Sequence, residues 1–168
     1  MNEDLYAEWL VKRKTPAYMF LVKVALVFLV LVGLTACVFS QWGFILLLIT
    51  VLAAFFGFQY TSLEYEYIFV SNEFGVDKIY SKSRRKKDVR LDMSKVVQVA
   101  PIAGHELDSY KNNQKTKVVD YSSREADAKT YGIVYEDTNG TTFYIIEPSE
   151  KFLKTMKACS PRKVQIAQ

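Results

Sequence analysis

Residues 17–60 read AYMFLVKVALVFLVLVGLTACVFSQWGFILLLITVLAAFFGFQY, and this stretch sets the organisation of the 168-residue chain. It contains two apolar runs, 17–39 and 42–60, separated only by Ser40 and Gln41. A membrane-spanning helix needs about 20 consecutive apolar residues, and both runs meet that length. Because a two-residue link cannot cross a bilayer, the pattern predicts a transmembrane helical hairpin with both ends on one side.

The placement of Lys and Arg predicts which side that is. A basic cluster precedes the first run and another follows the second, whereas the hairpin tip carries neither Lys nor Arg. Cytoplasmic flanks of membrane spans are enriched in these residues, so both termini are predicted to be cytoplasmic. Basic and aromatic residues near the ends of the spans are the predicted interface anchors: Trp9, Lys12, Arg13, Lys14, Tyr18, Trp42 and Tyr60.

Lys23 is the one charge within the two runs. It lies about 9 Å inside the first span at 1.5 Å per residue. It could line an ion pathway, but the spans contain no acidic partner. We favour a side chain that extends to the nearby headgroups.

Two further motifs in the hairpin leave alternatives open. Leu34–Cys37 (LTAC) has the form of a lipoprotein cleavage signal, but the apolar residues that follow it favour a second span over a cleaved leader. Ala53 and Gly57 form a small-x-x-x-small pattern, which permits close helix approach. That approach could occur within the hairpin or between two copies of the chain.

Residues 1–16 form a separate N-terminal segment. Asn2 could cap a short helix that ends at Lys12–Lys14, and Pro16 would separate it from the first span. We therefore predict an amphipathic helix that lies in the membrane interface or covers the cytoplasmic domain.

From residue 61 to residue 168 the pattern becomes that of a small β-domain. Asn139-Gly140 is a strong hairpin turn, and Ser149 caps a helix with Phe152, Leu153, Met156 and Cys159 on one face. We predict a β-barrel or sandwich closed by this C-terminal helix, in an α+β membrane protein. Short runs with strand character number about seven: 64–70, 74–80, 88–92, 96–100, 117–121, 130–136 and 141–147.

These elements resemble a bacterial pleckstrin-homology-like (PH-like) domain. The resemblance rests on the strand–turn–strand at 65–80, on VRLDMSKV at 89–96, and on 141–148 with its helix. The whole chain is similar to bacterial two-span proteins of this layout, a family of unknown function. The resemblance implies a location in the bacterial plasma membrane and a domain that contacts lipid, peptide or another subunit.

Residue types argue against several kinds of chemistry. His105 is the only histidine, and Cys37 and Cys159 fall in different parts of the predicted topology, so neither a His-based site nor a disulfide is expected. No glycine-rich phosphate loop is present. We therefore predict no catalytic, metal or cofactor site. A nucleic-acid partner is not expected either, because the basic run lacks a stacking aromatic residue.

The densest functional signal is the segment 81–87, predicted as a polar link between strands. Basic side chains in a link close to the bilayer would meet anionic headgroups, with the solvated loop as the alternative. The long polar segment 103–129 is a second candidate for partner contact. The proposed lipid-contacting residues are Lys82, Arg84, Arg85, Lys86 and Lys87.

The sequence is compatible with three functions. The first is a membrane-anchored, non-enzymatic binding or scaffold protein whose domain contacts the inner leaflet or an unidentified protein. The second is an accessory subunit or regulator of a transport or signalling complex that acts through the hairpin. The third is an unrecognised enzyme.

Overall fold

The computed structural model describes residues 6–59, 62–111, 113 and 116–166. These residues separate into two compact units. One contains the sheets and comprises 1–14, 64–79 and 85–168; the other contains the apolar helices and comprises 15–63 and 80–84.

The first sheet has four strands in sequential order: β1 (Tyr6–Lys12), β2 (Leu63–Val70), β3 (Glu73–Tyr80) and β4 (Arg84–Asp92). Strand β1 runs antiparallel to β2, with Tyr6 opposite Val70 and Lys12 opposite Glu64. The paired positions are 52 to 64 residues apart in sequence, so the strand pairing is entirely non-local.

The N-terminal helix predicted above is wrong, because residues 6–12 form β1. Its two buried positions, Ala7 and Val11, are four residues apart. This spacing fits one face of a helix and equally one face of a strand, whose side chains repeat every two residues. Backbone pairing with β2 makes residues 6–12 a strand and not a helix. Nothing in the sequence around residues 6–12 indicates that partner.

The second sheet has the order β5–β7–β8–β6, with β5 at Val96–Pro101, β6 at Lys117–Asp120, β7 at Tyr131–Asp137 and β8 at Gly140–Ile146. The predicted Asn-Gly hairpin joins β7 to β8, and Gly140 adopts a φ of 113° there. Strand β6 pairs with β8 in parallel. All seven predicted strands are present, with ends shifted by a few residues.

Helix α4 (Glu150–Cys159) contributes Phe152 to the aromatic core of the domain. Ser149 caps it by accepting a hydrogen bond from the Phe152 amide at 3.2 Å. Phe152, Leu153 and Met156 are buried, and the Phe152 ring packs edge-on against Tyr67, Phe69 and Phe74. The predicted closing helix is therefore confirmed.

Tyr67 of β2 joins the two sheets through its hydroxyl group. This group donates to the Tyr121 carbonyl oxygen at 2.7 Å and accepts from the Glu147 amide at 3.2 Å. Burial raises the pKa of Tyr67 far above its ordinary value. Within the described residues the strands form two separate four-stranded sheets, so the barrel alternative is wrong and β1 makes eight strands.

Part of the segment 103–129 packs against the second sheet. Helix α3 (Asp108–Lys111) follows Leu107, which is fully buried against Ala100, Val134 and Phe143 on the second sheet. Lys111 Nζ donates to the carbonyl oxygens of Ile102 and Gly104. Residues 112, 114 and 115 lie outside the described part of the chain.

The helical unit contains α1 (Tyr18–Phe39) and α2 (Gly43–Gln59), which pack against each other. Gly33 of α1 is buried where Thr50 and Leu47 of α2 approach it. Among the described residues, α1 is the one helix whose length and composition would allow it to cross a membrane, with a mean hydropathy of 2.7. The apolar part of α2, Gly43–Phe58, is shorter than that standard.

Candidate functional site

The basic segment, defined as residues 81–87, begins with a tight turn. Ser81 and Lys82 have φ values of 47° and 58°, and the Ser83 amide donates to the Tyr80 carbonyl oxygen at 3.1 Å. Two successive residues with positive φ are typical of the hairpin turns that match strand twist. Strand β4 begins at Arg84, so the predicted polar link is wrong beyond this turn.

The turn is hydrogen-bonded to the chain at the C-terminal end of α2, within the helical unit. The Ser81 amide donates to the Ser62 carbonyl oxygen at 3.0 Å. The Ser81 hydroxyl donates to the Phe58 carbonyl oxygen at 3.3 Å. Lys82 and Arg84 therefore stand beside the end of an apolar helix.

The five cations of the basic segment are all exposed, but they are not equivalent. Arg85 Nη2 lies 2.6 Å from Glu66 Oε1. No ion pair between described residues engages the other four: Lys82, Arg84, Lys86 and Lys87. Because strand side chains alternate between the two faces of a sheet, the four consecutive cations at positions 84–87 of β4 cannot all face one plane.

Carboxylates that the sequence analysis did not single out lie on the face of the first sheet opposite α4. Tyr65, Tyr67 and Phe69 face the core, which directs Glu64 and Glu66 to the opposite face. Asp77 is buried there and accepts from Arg90 Nη2 at 2.5 Å. The Glu-Tyr-Glu-Tyr alternation at 64–67 was the available signal.

Gly75 makes room for this arrangement. A Cβ atom at that position would lie 2.8 Å from Arg90 Nη1. The guanidinium group of Arg90 therefore lies over Gly75, where a larger residue would require it to shift, and it reaches Asp77 on the neighbouring strand.

A second polar cluster lies where the sheets meet. Arg13, directly after β1, donates to the Tyr65 hydroxyl and to the Asp120 carbonyl oxygen. Tyr121 donates to Asp88 Oδ2 at 2.5 Å, and Lys78 Nζ lies 2.9 Å from the same oxygen. This cluster joins β1, β2, β3, β4 and the chain after β6.

The predicted interface anchors fall in different places. Trp9 is in β1, and its indole nitrogen donates to the Glu147 carbonyl oxygen at 2.9 Å. Lys12 pairs in register with Glu64, and the Lys14 amide donates to the Ser123 carbonyl oxygen. Tyr18 and Trp42 are exposed in the helical unit. Tyr60 lies outside the described residues.

The two small residues of the hairpin differ in exposure. Leu26 of α1 approaches Gly57 closely enough that a Cβ there would lie 2.6 Å from its Cδ1 atom. Ala53, one turn earlier on α2, is exposed. Gly57 thus serves packing within the hairpin. Lys23 is half-buried on α1.

Features associated with ligand chemistry are sparse in the described part of the chain. No group of three or more His, Cys, Asp or Glu residues there could hold a metal ion. A surface groove of about 540 Å³ lies between Pro101, Lys157 and the C-terminal residues Arg162–Ile166. A smaller groove of about 250 Å³ lies between β1 and the start of α4.

Comparison with known families agrees with the two sheets and the C-terminal helix. A family model described as Bacterial PH-like domain (DUF6106) matches residues 3–166. The chain belongs to this bacterial PH-like family. The match includes β1, both apolar helices and α4, so the family model describes the whole arrangement rather than the sheets alone. A search of curated proteins finds no match to the chain.

Proposed function

We propose that this PH-like protein is a two-span protein of the bacterial plasma membrane with both termini in the cytoplasm. Its domain would act there as a non-enzymatic binding module at the inner leaflet. The observation that carries the topology is the pairing of Lys12 with Glu64. The chain leaves the first sheet after Lys12 and returns to it next to Glu64.

That pairing restricts the number of membrane crossings. Since β1 and β2 belong to one sheet, they lie on one side of the bilayer, and the chain between them must cross an even number of times. If α1 crosses, α2 must cross back. At 1.5 Å per residue the 22 residues of α1 span about 33 Å and the 17 residues of α2 about 26 Å. A modest local thinning of a bilayer core of about 30 Å accommodates the shorter helix.

The position of the basic segment supports lipid contact. Its turn is hydrogen-bonded to the end of α2, which in a two-span topology is the inner surface of the bilayer. Each Lys or Arg close to an anionic leaflet contributes about 1 kcal/mol, and salt weakens this attraction. Lys82, Arg84 and Lys86 are exposed and have no ion-pair partner among the described residues, and Arg84 and Lys86 share one face of β4, so these three are the principal contacts.

Cysteine labelling tests the topology in intact cells. In a background with Cys37→Ser, we expect an impermeant maleimide to label Cys159 only after lysis. In a background with both native cysteines replaced, Ser40→Cys should react from outside. Reaction of the two positions from the same side would contradict the two-span topology.

Lipid contact requires the full chain in vesicles, with a fluorophore attached through Ser83→Cys in the background without native cysteines. Quenching by headgroup-labelled lipid should be stronger with phosphatidylglycerol than with phosphatidylcholine alone, and salt should reduce the difference. Replacing Lys82, Arg84 and Lys86 by Gln should abolish it. The matched control replaces Lys151, Lys154 and Lys157 of α4, which removes the same charge elsewhere. Equal quenching with and without phosphatidylglycerol would exclude the contact.

A further inference from the structure

The ion pair between Arg85 and Glu66 has one exposed and one buried partner. The Arg85 side chain is 55% exposed, whereas that of Glu66 is 12% exposed. Arg85 can leave the pair and stay solvated. Glu66 cannot regain water in the same way, so its charge would be left buried and uncompensated.

The second oxygen of Glu66 makes the carboxylate more dependent on Arg85. Glu66 Oε2 is buried and has no hydrogen-bond partner among the described residues. The charged groups that act on this carboxyl come from each neighbouring strand: Glu8 on β1, Asp77 on β3, and Arg85 and Arg90 on β4.

These surroundings favour the protonated form of Glu66. Burial raises the pKa of the Glu66 carboxyl above its ordinary value, Arg85 opposes that rise, and Glu8 and Asp77 add to it. Protonation removes the charge that holds Arg85, because a neutral carboxyl attracts a guanidinium group much more weakly.

We propose that Glu66 is a positioning residue that withholds Arg85 from the bilayer, and that protonation of Glu66 releases Arg85 to anionic headgroups. This inference rests on the proposed lipid contact of the basic segment and adds a regulation to it. Arg85 follows Arg84 at the start of β4 but projects from the opposite face of the sheet, so its long side chain, once released, reaches the headgroups by extending past the end of the strand. One additional cation at an anionic surface strengthens that contact about five-fold.

The test uses the full chain in phosphatidylglycerol vesicles with the fluorophore at Ser83→Cys. Salt-sensitive quenching is followed from about pH 8 to about pH 4, which includes the ordinary Glu pKa of about 4.3. In the otherwise unsubstituted chain, the contact should strengthen about five-fold on acidification. Glu66→Gln, which mimics the protonated acid, should show the stronger contact at every pH.

Two further variants separate release of Arg85 from a general structural effect. Arg85→Gln should show the weaker contact at every pH, and combining it with Glu66→Gln should give the same result as Arg85→Gln alone. Glu73→Gln is the matched control, because Glu73 contacts Arg90 on the same sheet, 3.7 Å away. It should retain the pH profile.

The outcomes distinguish the two proposals. Quenching that depends on phosphatidylglycerol but not on pH would overturn the role of Glu66 and leave the lipid contact standing. A pH response that persists in Glu66→Gln would also overturn that role. Quenching that is independent of phosphatidylglycerol at every pH would overturn both proposals.

Discussion

At the scale of single residues, the ionisation of Asp88 should contribute to stability. Its Oδ2 atom accepts from Tyr121 at 2.5 Å and lies 2.9 Å from Lys78 Nζ. Burial raises the pKa of Asp88, but the hydrogen bonds from Tyr121 and Lys78 outweigh burial, and the pKa lies below its ordinary value. Asp88 therefore stabilises the fold above the unfolded pKa of about 3.9, and this contribution disappears as the pH falls through the folded pKa.

The substitution Asp88→Asn should lower the free energy of unfolding by about 1–3 kcal/mol at pH 7, because it weakens two partly buried hydrogen bonds to a charged group. Urea unfolding of the full chain in detergent micelles measures this loss. The difference from the unsubstituted protein should close below about pH 4. Asp137→Asn, which removes an exposed partner of Lys95, is the control and should have a much smaller effect. A loss that is the same at every pH would contradict the role of Asp88.

At the scale of secondary-structure elements, two substitutions in β1 test whether residues 6–12 belong to the sheet. Val11 is 5% exposed and lies opposite Tyr65, whereas its neighbour Leu10 is 47% exposed. Val11→Asp should lower the free energy of unfolding by about 3 kcal/mol or more, because it buries an unpaired charge. Leu10→Asp should change it by no more than about 0.5 kcal/mol.

The same urea unfolding experiment compares these two variants. A membrane-surface helix would give the opposite ranking, because Leu10 would then insert into the bilayer while Val11 made no contact with a core. A larger loss for Leu10→Asp would therefore contradict the assignment of residues 6–12 to the sheet.

At the scale of the whole molecule, both apolar helices are an insertion in the connection between β1 and β2. Because Lys12 and Glu64 are paired, a two-residue turn can replace the insertion. A chain in which Asn-Gly replaces residues 14–62 should be soluble without detergent and should unfold cooperatively. It retains Arg13 with its bonds to Tyr65 and Asp120.

The control for this chain is residues 63–168 alone, which lack β1. Without that strand, β2 becomes an exposed sheet edge, and Tyr65 and Phe69 lose the cover of Val11 and Ala7. We expect this fragment to aggregate. Circular dichroism and gel filtration measure both outcomes. If the fragment folded as well as the chain that contains β1, the strand would not be part of the domain.

Sequence alone predicted the features that depend on local patterns. The Asn139-Gly140 turn, the cap at Ser149 and the apolar face of α4 each involve a few neighbouring residues. Apart from residues 84–87, the strands between residues 63 and 146 could be predicted because apolar and polar residues alternate along much of their length. The family resemblance followed from the order of these elements.

The tertiary structure decided what depended on distant partners. Residues 6–12 become a strand because β2 offers its edge, and Arg84–Lys87 become a strand because β3 pairs with them. The charge of 81–87 predicted exposure but not conformation, and it could not show that Glu66 holds Arg85. Backbone pairing and ion pairing are set by residues far apart in sequence. The local sequence pattern indicates the apolar faces of strands and helices. Only the folded chain determines which residues pack against those faces.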